Sequence, residues 1–413
     1  RAAEAVRRAE DAPARFAGIA SDAIVTDWPA QKAQVEELVS SLRKVKYSEL
    51  LPEYSNVTYR VGKASLVEGG VEVEGHHLAS EKIIVATGAR PALPAIPGIT
   101  EVIPLDSMSA LALKELPRSM IVLGGGYVGA ELAQTFARFG VDVTLVFRSR
   151  LLPEAEPEIS AALAGYLADE GITVVQEVTY DSVRKTPDGG VALTVKRDGC
   201  PEVLRAERVL VATGRAPNTE SLGLFEAGVE LTSVGAVVVD DRMRTSKTGV
   251  YAAGDVTGRD QFVYMAAYGG KLAARNALNG DSLRYDNSAM PAVVFTDPQV
   301  ASVGMTESQA RRAGFGVMTS ILSLDNLPRA LAARDTRGLI KLVADRATRK
   351  LLGAHILAPE GSDSIQTAAL AIRFGLTIDD ISETIFPYLT TVEGLKLAAQ
   401  AFDRDIKKLS CCA

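Results

Sequence analysis

Met120-Ile121-Val122-Leu123-Gly124-Gly125-Gly126-Tyr127-Val128-Gly129-Ala130-Glu131 is the stretch that decides how this chain folds. An apolar run ends in a GxGxxG turn, and Ala130 to Gly140 has the pattern of a helix closed by a C-terminal glycine. Val141 to Phe147 then reads as the next buried strand. In such a strand-turn-helix-strand unit Gly124 makes the tight turn and Gly126 lets the backbone approach a pyrophosphate. Gly129 allows the helix to pack closely on the strand, and the positive end of the helix faces the phosphates. The spacing predicts a dinucleotide site.

An internal echo extends the pattern. Lys82-Ile83-Ile84-Val85-Ala86-Thr87-Gly88-Ala89-Arg90-Pro91 resembles Arg208-Val209-Leu210-Val211-Ala212-Thr213-Gly214-Arg215-Ala216-Pro217. Each is a short apolar strand entering a glycine turn, so two similar nucleotide-binding units are expected. The unit around residue 124 is complete. The other is not, because residues 1 to 81 contain no GxGxxG although its closing strand is present. Its opening strand and phosphate loop are therefore expected ahead of Arg1, and the chain, which starts in mid-helix pattern at Arg1, is expected to be truncated at its N-terminus.

Gly249-Val250-Tyr251-Ala252-Ala253-Gly254-Asp255-Val256 is a third apolar strand, this one delivering an acid at its tip. A buried acid is costly unless paired, so Asp255 is either a ligand to a cofactor hydroxyl or a capped turn residue. From about Met290 the pattern changes. Leu339 to Val343 and Lys350 to Leu357 read as a hairpin around a turn at 345 to 348, and Ser362 to Phe374 reads as an amphipathic helix. This last region has no nucleotide signature and suits a dimer interface.

Composition narrows the function. At 413 residues the chain can build two or three cores, with 47% hydrophobic and 23% charged residues in the range of ordinary globular proteins. A net charge of -6, with basic pairs such as Arg7-Arg8 set among acids, gives no nucleic-acid surface. No apolar run is long enough to span a membrane and the start is charged, which excludes a membrane span or signal peptide in this stretch. A cytoplasmic location is the expectation. Of three cysteines, Cys200 lies alone in a polar Asp-Gly-Cys-Pro turn, while Cys411 and Cys412 are adjacent near the end. Neighbouring thiols do not close easily on each other across a trans peptide, so the pair reads as a soft-metal clamp or a redox pair.

The two ATG strands, GGGYVGAE at 124 to 131, GVYAAGDV at 249 to 256 and the C-terminal unit together resemble the pyridine-nucleotide disulfide oxidoreductases, over essentially the whole chain. The resemblance implies an α/β chain with two Rossmann-like dinucleotide-binding domains, the first incomplete, plus a C-terminal α+β dimerisation domain. It divides the chain into a first FAD-binding segment at 1–116, an NADPH-binding domain at 117–235, a second FAD-binding segment at 236–287 and a dimerisation domain at 288–413. It implies FAD and NADPH as cofactors and a homodimer as the working form.

Within the family, YLTTVEGLKLAAQ at 388 to 400 and LSCCA at 409 to 413 look like the branch that reduces Hg(II) to Hg(0). Relatives such as dihydrolipoamide dehydrogenase and glutathione reductase carry a His-Glu pair near the C-terminus to move a thiol proton. Here no histidine follows His355, and Tyr388 stands in that region. Reduction of a metal ion needs no such base.

Carried over residue by residue, the resemblance gives Gly124, Gly126 and Gly129 to the nicotinamide dinucleotide, and Tyr127 to the tyrosine that covers the flavin until nicotinamide displaces it. Arg148 and Arg150 stand where NAD-specific members present an acid to the ribose, and two guanidinium forks there suit a 2'-phosphate. Asp255 matches the acid on the FAD ribityl chain, and Ala64 and Val263 match backbone contacts to the flavin nucleotide. Cys411 and Cys412 match the pair that takes Hg(II) from small-thiol complexes, with Tyr388 as a further ligand, at the active site of the other subunit. The chain departs from the family in having no CxxxxC, the inner pair that takes electrons from FAD. Two other readings remain at this point: another flavin disulfide reductase of the dihydrolipoamide dehydrogenase kind, or a non-catalytic metal-buffering or dimerisation fragment.

Overall fold

A computed structural model describes residues 1–408, and contacts divide them into two units. One unit holds residues 1–28, 93–213 and the chain from Asn287 onward. The second holds 29–92 and 214–286.

The first unit contains the expected nucleotide fold. Ser119–Leu123 lies in a four-stranded sheet, flanked by Arg208–Val211 on one side and by Asp142–Val146 and then Thr173–Val175 on the other. All neighbours are parallel, with Leu123 opposite Val146 and Val211. Read from the far edge, the strands stand third, second, first, fourth in chain order, the order of a Rossmann half. Met120 to Leu123 are fully buried, as helices on both faces of a parallel strand require. The first crossover helix, Tyr127–Arg138, begins earlier than the sequence pattern suggests, with Gly126 as its N-cap. Pro157 opens the second, Pro157–Asp169, where its missing N–H costs nothing.

The third crossover is not a helix. It is an antiparallel meander of Thr179–Lys185, Val191–Arg197 and Cys200–Ala206. Asp198 and Gly199 both take left-handed φ, 49° and 79°, and pair Arg197 with Cys200 across a two-residue turn. Cys200 therefore opens a strand, exposed to solvent, and does not sit inside the turn as expected.

The same unit carries a five-stranded antiparallel sheet in the order Ala292–Val294, Gln299–Gly304, Leu351–Ala358, Leu339–Asp345, Val317–Ser323. The expected hairpin is its centre, with Leu339 opposite Leu357. Helices Gly361–Arg373 and Glu393–Gln400 bury Ile365, Ala368, Leu395 and Ala398 in the core beside Ile340, Leu342 and Ile356. Gly394 sits so close to this sheet that a Cβ there would lie 2.5 Å from Ile340 Cδ1.

Buried ion pairs join distant parts of this unit. Arg138 forks onto Glu170 at 2.7 and 2.8 Å and reaches Asp297 at 3.0 Å, with Arg337 bridging Glu170, Asp297 and Asp335. Lys341, 2% exposed, holds Glu156, Glu158 and Glu307 within 3.0 Å. Burial alone would drive its proton off, but the three carboxylates win and keep the ammonium charged. Each cation would be costly without its acids.

In the second unit Ile83–Val85 pairs in parallel with Val250–Ala252. The echoed segments pair with each other: Ala89–Pro91 runs antiparallel to Arg215–Pro217. A hairpin sheet of Ala64–Val67, Gly70–Val73 and His76–Ala79 lies in the same unit. Leu224 and Val229 bury against Leu66, Val85, Val250 and Val256, and Leu66 N donates to Leu222 O at 2.7 Å. Residues 214–235 thus pack with 236–286, and the contact boundary falls at 213/214 where the sequence reading placed it at 235/236. Residues 1–28 likewise group with the first unit, through contacts of the helix Ala2–Arg15 with Tyr127–Arg138. No described helix is long and apolar enough to cross a membrane.

Candidate functional site

The glycines of the turn do three different things. Gly124 has φ 116°, and a Cβ there would lie 2.3 Å from Ala212 O, so only glycine fits. A Cβ on Gly129 would lie 1.9 Å from Gly124 O, backbone against backbone. At Gly126 a Cβ would meet nothing within 4 Å. That position is open space at the N-cap of Tyr127–Arg138, where free amides and the helix dipole favour an anion. Gly125, to which the motif assigns no task, is also fixed, because a Cβ would lie 2.7 Å from the Phe147 ring.

Tyr127 is half-buried at the first turn of this helix. Burial, helped by the nearby Glu154 carboxylate, holds its phenol above the ordinary value, so it stays neutral. One turn on, Glu131 lies on the same helix face. Its Oε1 accepts from Phe295 N at 2.8 Å, while burial raises its pKa against that bond. Sequence reading passed over Glu131 because a lone acid after a glycine motif carries no signal of its burial.

The two arginines after the second strand part company. Arg148 is exposed just past Val146, near Tyr180, whose own hydroxyl donates to Val146 O at 3.1 Å. Arg150 Nη2 instead donates to Pro153 O and Ala155 O, at 2.6 and 2.7 Å. Arg150 is spent on shaping the loop 151–155, and Arg148 presents the open guanidinium.

In the second unit Asp255 begins a short 3-10 turn straight after Val250–Ala252, preceded by Gly254 at φ 76°. It pairs with Arg215 at 3.3 Å, both side chains partly exposed, an ion pair of little strength that a hydroxyl ligand can displace. Val263, 84% exposed, is the first residue of the helix Val263–Asn279, and Ala64 is exposed at the start of its strand. Tyr388 is 54% exposed in the loop before Glu393–Gln400. Cys411 and Cys412 lie outside the described residues.

The first-unit turn fits a dinucleotide pyrophosphate: an open glycine face at a helix N-terminus followed by an exposed arginine. The second unit offers FAD an acid at a strand tip and a helix start, and residues 1 to 81 hold no glycine-rich phosphate loop. Among the described residues no cluster of three or more His, Cys, Asp or Glu is placed to hold a metal.

The profile of the pyridine nucleotide-disulphide oxidoreductase family matches residues 4–270, and that of the family's dimerisation domain matches 290–399. The chain is similar to the mercuric reductase of Lysinibacillus sphaericus, with 45% identity over 100% of this chain and 75% of that protein. It is 45% identical to that of Bacillus cereus over 96% of this chain and 63% of that protein. For the Streptomyces lividans mercuric reductase the identity is 45%, over 100% of this chain and 88% of the relative. Among solved structures it resembles the Cu(II) complex of the HOCl-induced flavoprotein disulfide reductase RclA from Escherichia coli, with TM-score 0.82 and 31% identity, covering 91% of this chain and 86% of that one. It also resembles LpdA from Mycobacterium tuberculosis, with TM-score 0.82 and 27% identity over 97% and 86% of the two chains.

Proposed function

Because this chain belongs to the pyridine nucleotide-disulphide oxidoreductase family, we propose that it carries the NADPH-binding, dimerisation and metal-capturing parts of a flavoenzyme that reduces Hg(II) to Hg(0). The observation that carries this reading is the likeness to mercuric reductases over the whole chain, ending in Cys411-Cys412.

Bound FAD supplies the passage of two electrons from nicotinamide to a dithiol. The chain's own residues bind, cover and deliver. Gly126 and the helix start hold the NADPH pyrophosphate, Arg148 takes the 2'-phosphate, and Arg150 shapes the loop beside it. Neutral Tyr127 would cover the flavin ring until nicotinamide displaces it. Asp255 would accept a hydrogen bond from the ribityl chain of FAD, with Ala64 and Val263 giving backbone contacts. Cys411 and Cys412 take Hg(II) from its small-thiol complex by exchange, each new Hg–S bond replacing one broken and releasing a thiol. Tyr388 adds an oxygen donor. The pair belongs to the tail of one subunit serving the partner's site in a homodimer, and free thiols of this kind fit a reducing cytoplasm. A dihydrolipoamide dehydrogenase-like reaction is not favoured, since it needs a thiol-protonating histidine and none follows His355.

The test is coupled NADPH oxidation and Hg(0) release by a polypeptide in which these residues are joined to an FAD segment bearing CxxxxC. Cofactor choice is tested separately. Arg148→Glu is expected to remove about 2 to 3 kcal/mol of preference for NADPH over NADH, a lost charge-assisted contact plus a new repulsion. Arg150→Glu should instead lower binding of both cofactors alike, through the loop. Steady-state kinetics with both cofactors decides it, and an unchanged ratio in Arg148→Glu would remove Arg148 from the site.

A further inference from the structure

The loop between the strand Asp142–Val146 and the helix Pro157–Asp169 is tied at both ends to groups outside itself. At one end the Leu152 amide donates to Gly125 O, inside the glycine turn, at 2.7 Å. Leu152 is 1% exposed and takes φ 46°, a left-handed backbone that residues with a Cβ avoid. At the other end lies Glu156, 2% exposed. Its Oε1 accepts from Glu307 N at 2.6 Å and its Oε2 from Lys341 Nζ at 3.0 Å. Lys341 stands in the strand Leu339–Asp345, and Glu307 opens the helix Glu307–Arg312.

Between the two ties the loop is braced. Ala155 N donates to Leu152 O at 2.8 Å, Arg150 Nη2 bridges Pro153 O and Ala155 O, and the Ser160 hydroxyl donates to Leu151 O. A left-handed leucine persists only where its surroundings over-determine it, and Glu156 supplies the anchor four residues on. The bond to Gly125 bears directly on the glycine turn. In a planar trans peptide the carbonyl oxygen and the amide hydrogen point opposite ways. Gly125 O is held by the buried Leu152, so the N–H of Gly126 in the same peptide is turned away from it. That hydrogen is one an anion at the helix start can use.

We propose that Glu156 is a positioning residue for NADPH: clamped by Lys341 and by Glu307 N, it holds the loop that keeps Leu152 on Gly125 O, and so fixes the Gly126 amide for the pyrophosphate. The inference rests on the reading of Gly124 to Gly129 as the pyrophosphate site. It makes the C-terminal sheet a support of the dinucleotide turn, through one carboxylate and one loop.

The experiment titrates the 413-residue chain with NADPH, NADH and adenosine 2'-monophosphate, the last carrying a 2'-phosphate and no pyrophosphate. Glu156→Ala should weaken NADPH and NADH alike by about fivefold, the scale of one hydrogen bond. Adenosine 2'-monophosphate should bind with its wild-type affinity, which a general loosening of the unit would not leave intact. Combined with Gly126→Ala, the two losses should fall short of multiplying, because both act at one peptide. Amide hydrogen exchange at Leu152 should quicken in Glu156→Ala and keep its rate in Gly126→Ala. Lys341 retains Glu158 and Glu307 in Glu156→Ala, so its buried charge stays paired, and thermal melting checks the fold. If Glu156→Ala does not fold, Glu156→Asp, which keeps the charge but is too short to reach Glu307 N, carries the same expectation.

Wild-type affinity for both dinucleotides in Glu156→Ala while Gly126→Ala is impaired overturns the inference and leaves the pyrophosphate site standing. So does a loss that extends to adenosine 2'-monophosphate, or one that multiplies with that of Gly126→Ala. Wild-type NADPH binding in Gly126→Ala removes both.

Discussion

Alanine at both Cys411 and Cys412 is expected to cut mercury turnover in excess small thiol by at least roughly a hundredfold, about 2.7 kcal/mol in the barrier, while NADPH-to-flavin reduction keeps its rate. The separation follows from the roles proposed: Gly124 to Gly129 and Asp255 serve the cofactors, while the terminal cysteines act on mercury alone. Mercury in a cell is held by small thiols, and only soft donors of the same kind can take it over by exchange. With the pair gone, an inner dithiol must strip the ion unaided. Stopped-flow flavin absorbance and Hg(0) release, recorded on one preparation joined to the CxxxxC-bearing segment, read the two halves separately. Full turnover under excess thiol would make the terminal pair incidental.

Gly129→Val is expected to abolish NADPH binding and to destabilise the first unit by about 3 kcal/mol or more. Its Cβ would stand 1.9 Å from Gly124 O, and neither backbone can yield without parting the helix Tyr127–Arg138 from the strand Ser119–Leu123. Gly126→Ala is the informative companion. A Cβ there meets nothing, so stability should hold within about 0.5 kcal/mol. Its NADPH affinity should nevertheless drop, because the methyl occupies the face a pyrophosphate needs. Thermal melts and NADPH fluorescence titration on both variants separate packing from ligand approach. If Gly126→Ala bound NADPH normally, the pyrophosphate would not sit at that face.

What the sequence disclosed and what it hid follow from the range of the interactions. The nucleotide unit was legible because its signals are local: a run buried on both faces at Met120 to Leu123, then glycines whose spacing is set by one turn. The C-terminal hairpin was legible for the same reason. The meander at 179–206 was missed although Asp198-Gly199 is a hairpin turn, because the reading took the dipeptide as the setting of Cys200 and not as the joint between two strands. Residues 214–235 cluster with the second unit because Leu224 and Val229 find their partners, Leu66 and Val85, far back in the chain, beyond the reach of any local pattern.

Side-chain duties were less legible still. Arg148 and Arg150 look alike in sequence, yet Arg150 is committed to Pro153 and Ala155 carbonyls. Lys341 among three carboxylates depends on burial that no local pattern encodes. A left-handed leucine cannot be read from the word leucine. The roles of Tyr388, Cys411 and Cys412 rest on resemblance and on soft-ligand chemistry.

The measurement that bears most directly on the account is the stoichiometry of Hg(0) vapour against NADPH consumed, with Hg(II) supplied as its thiol complex. It is made on these residues joined ahead of Arg1 to an FAD segment bearing CxxxxC. Reduction of Hg(II) takes the two electrons of one hydride, so the account predicts one Hg(0) for each NADPH oxidised, and no consumption above background when Hg(II) is withheld. NADPH oxidation that proceeds with a disulfide substrate and releases no Hg(0) would contradict it.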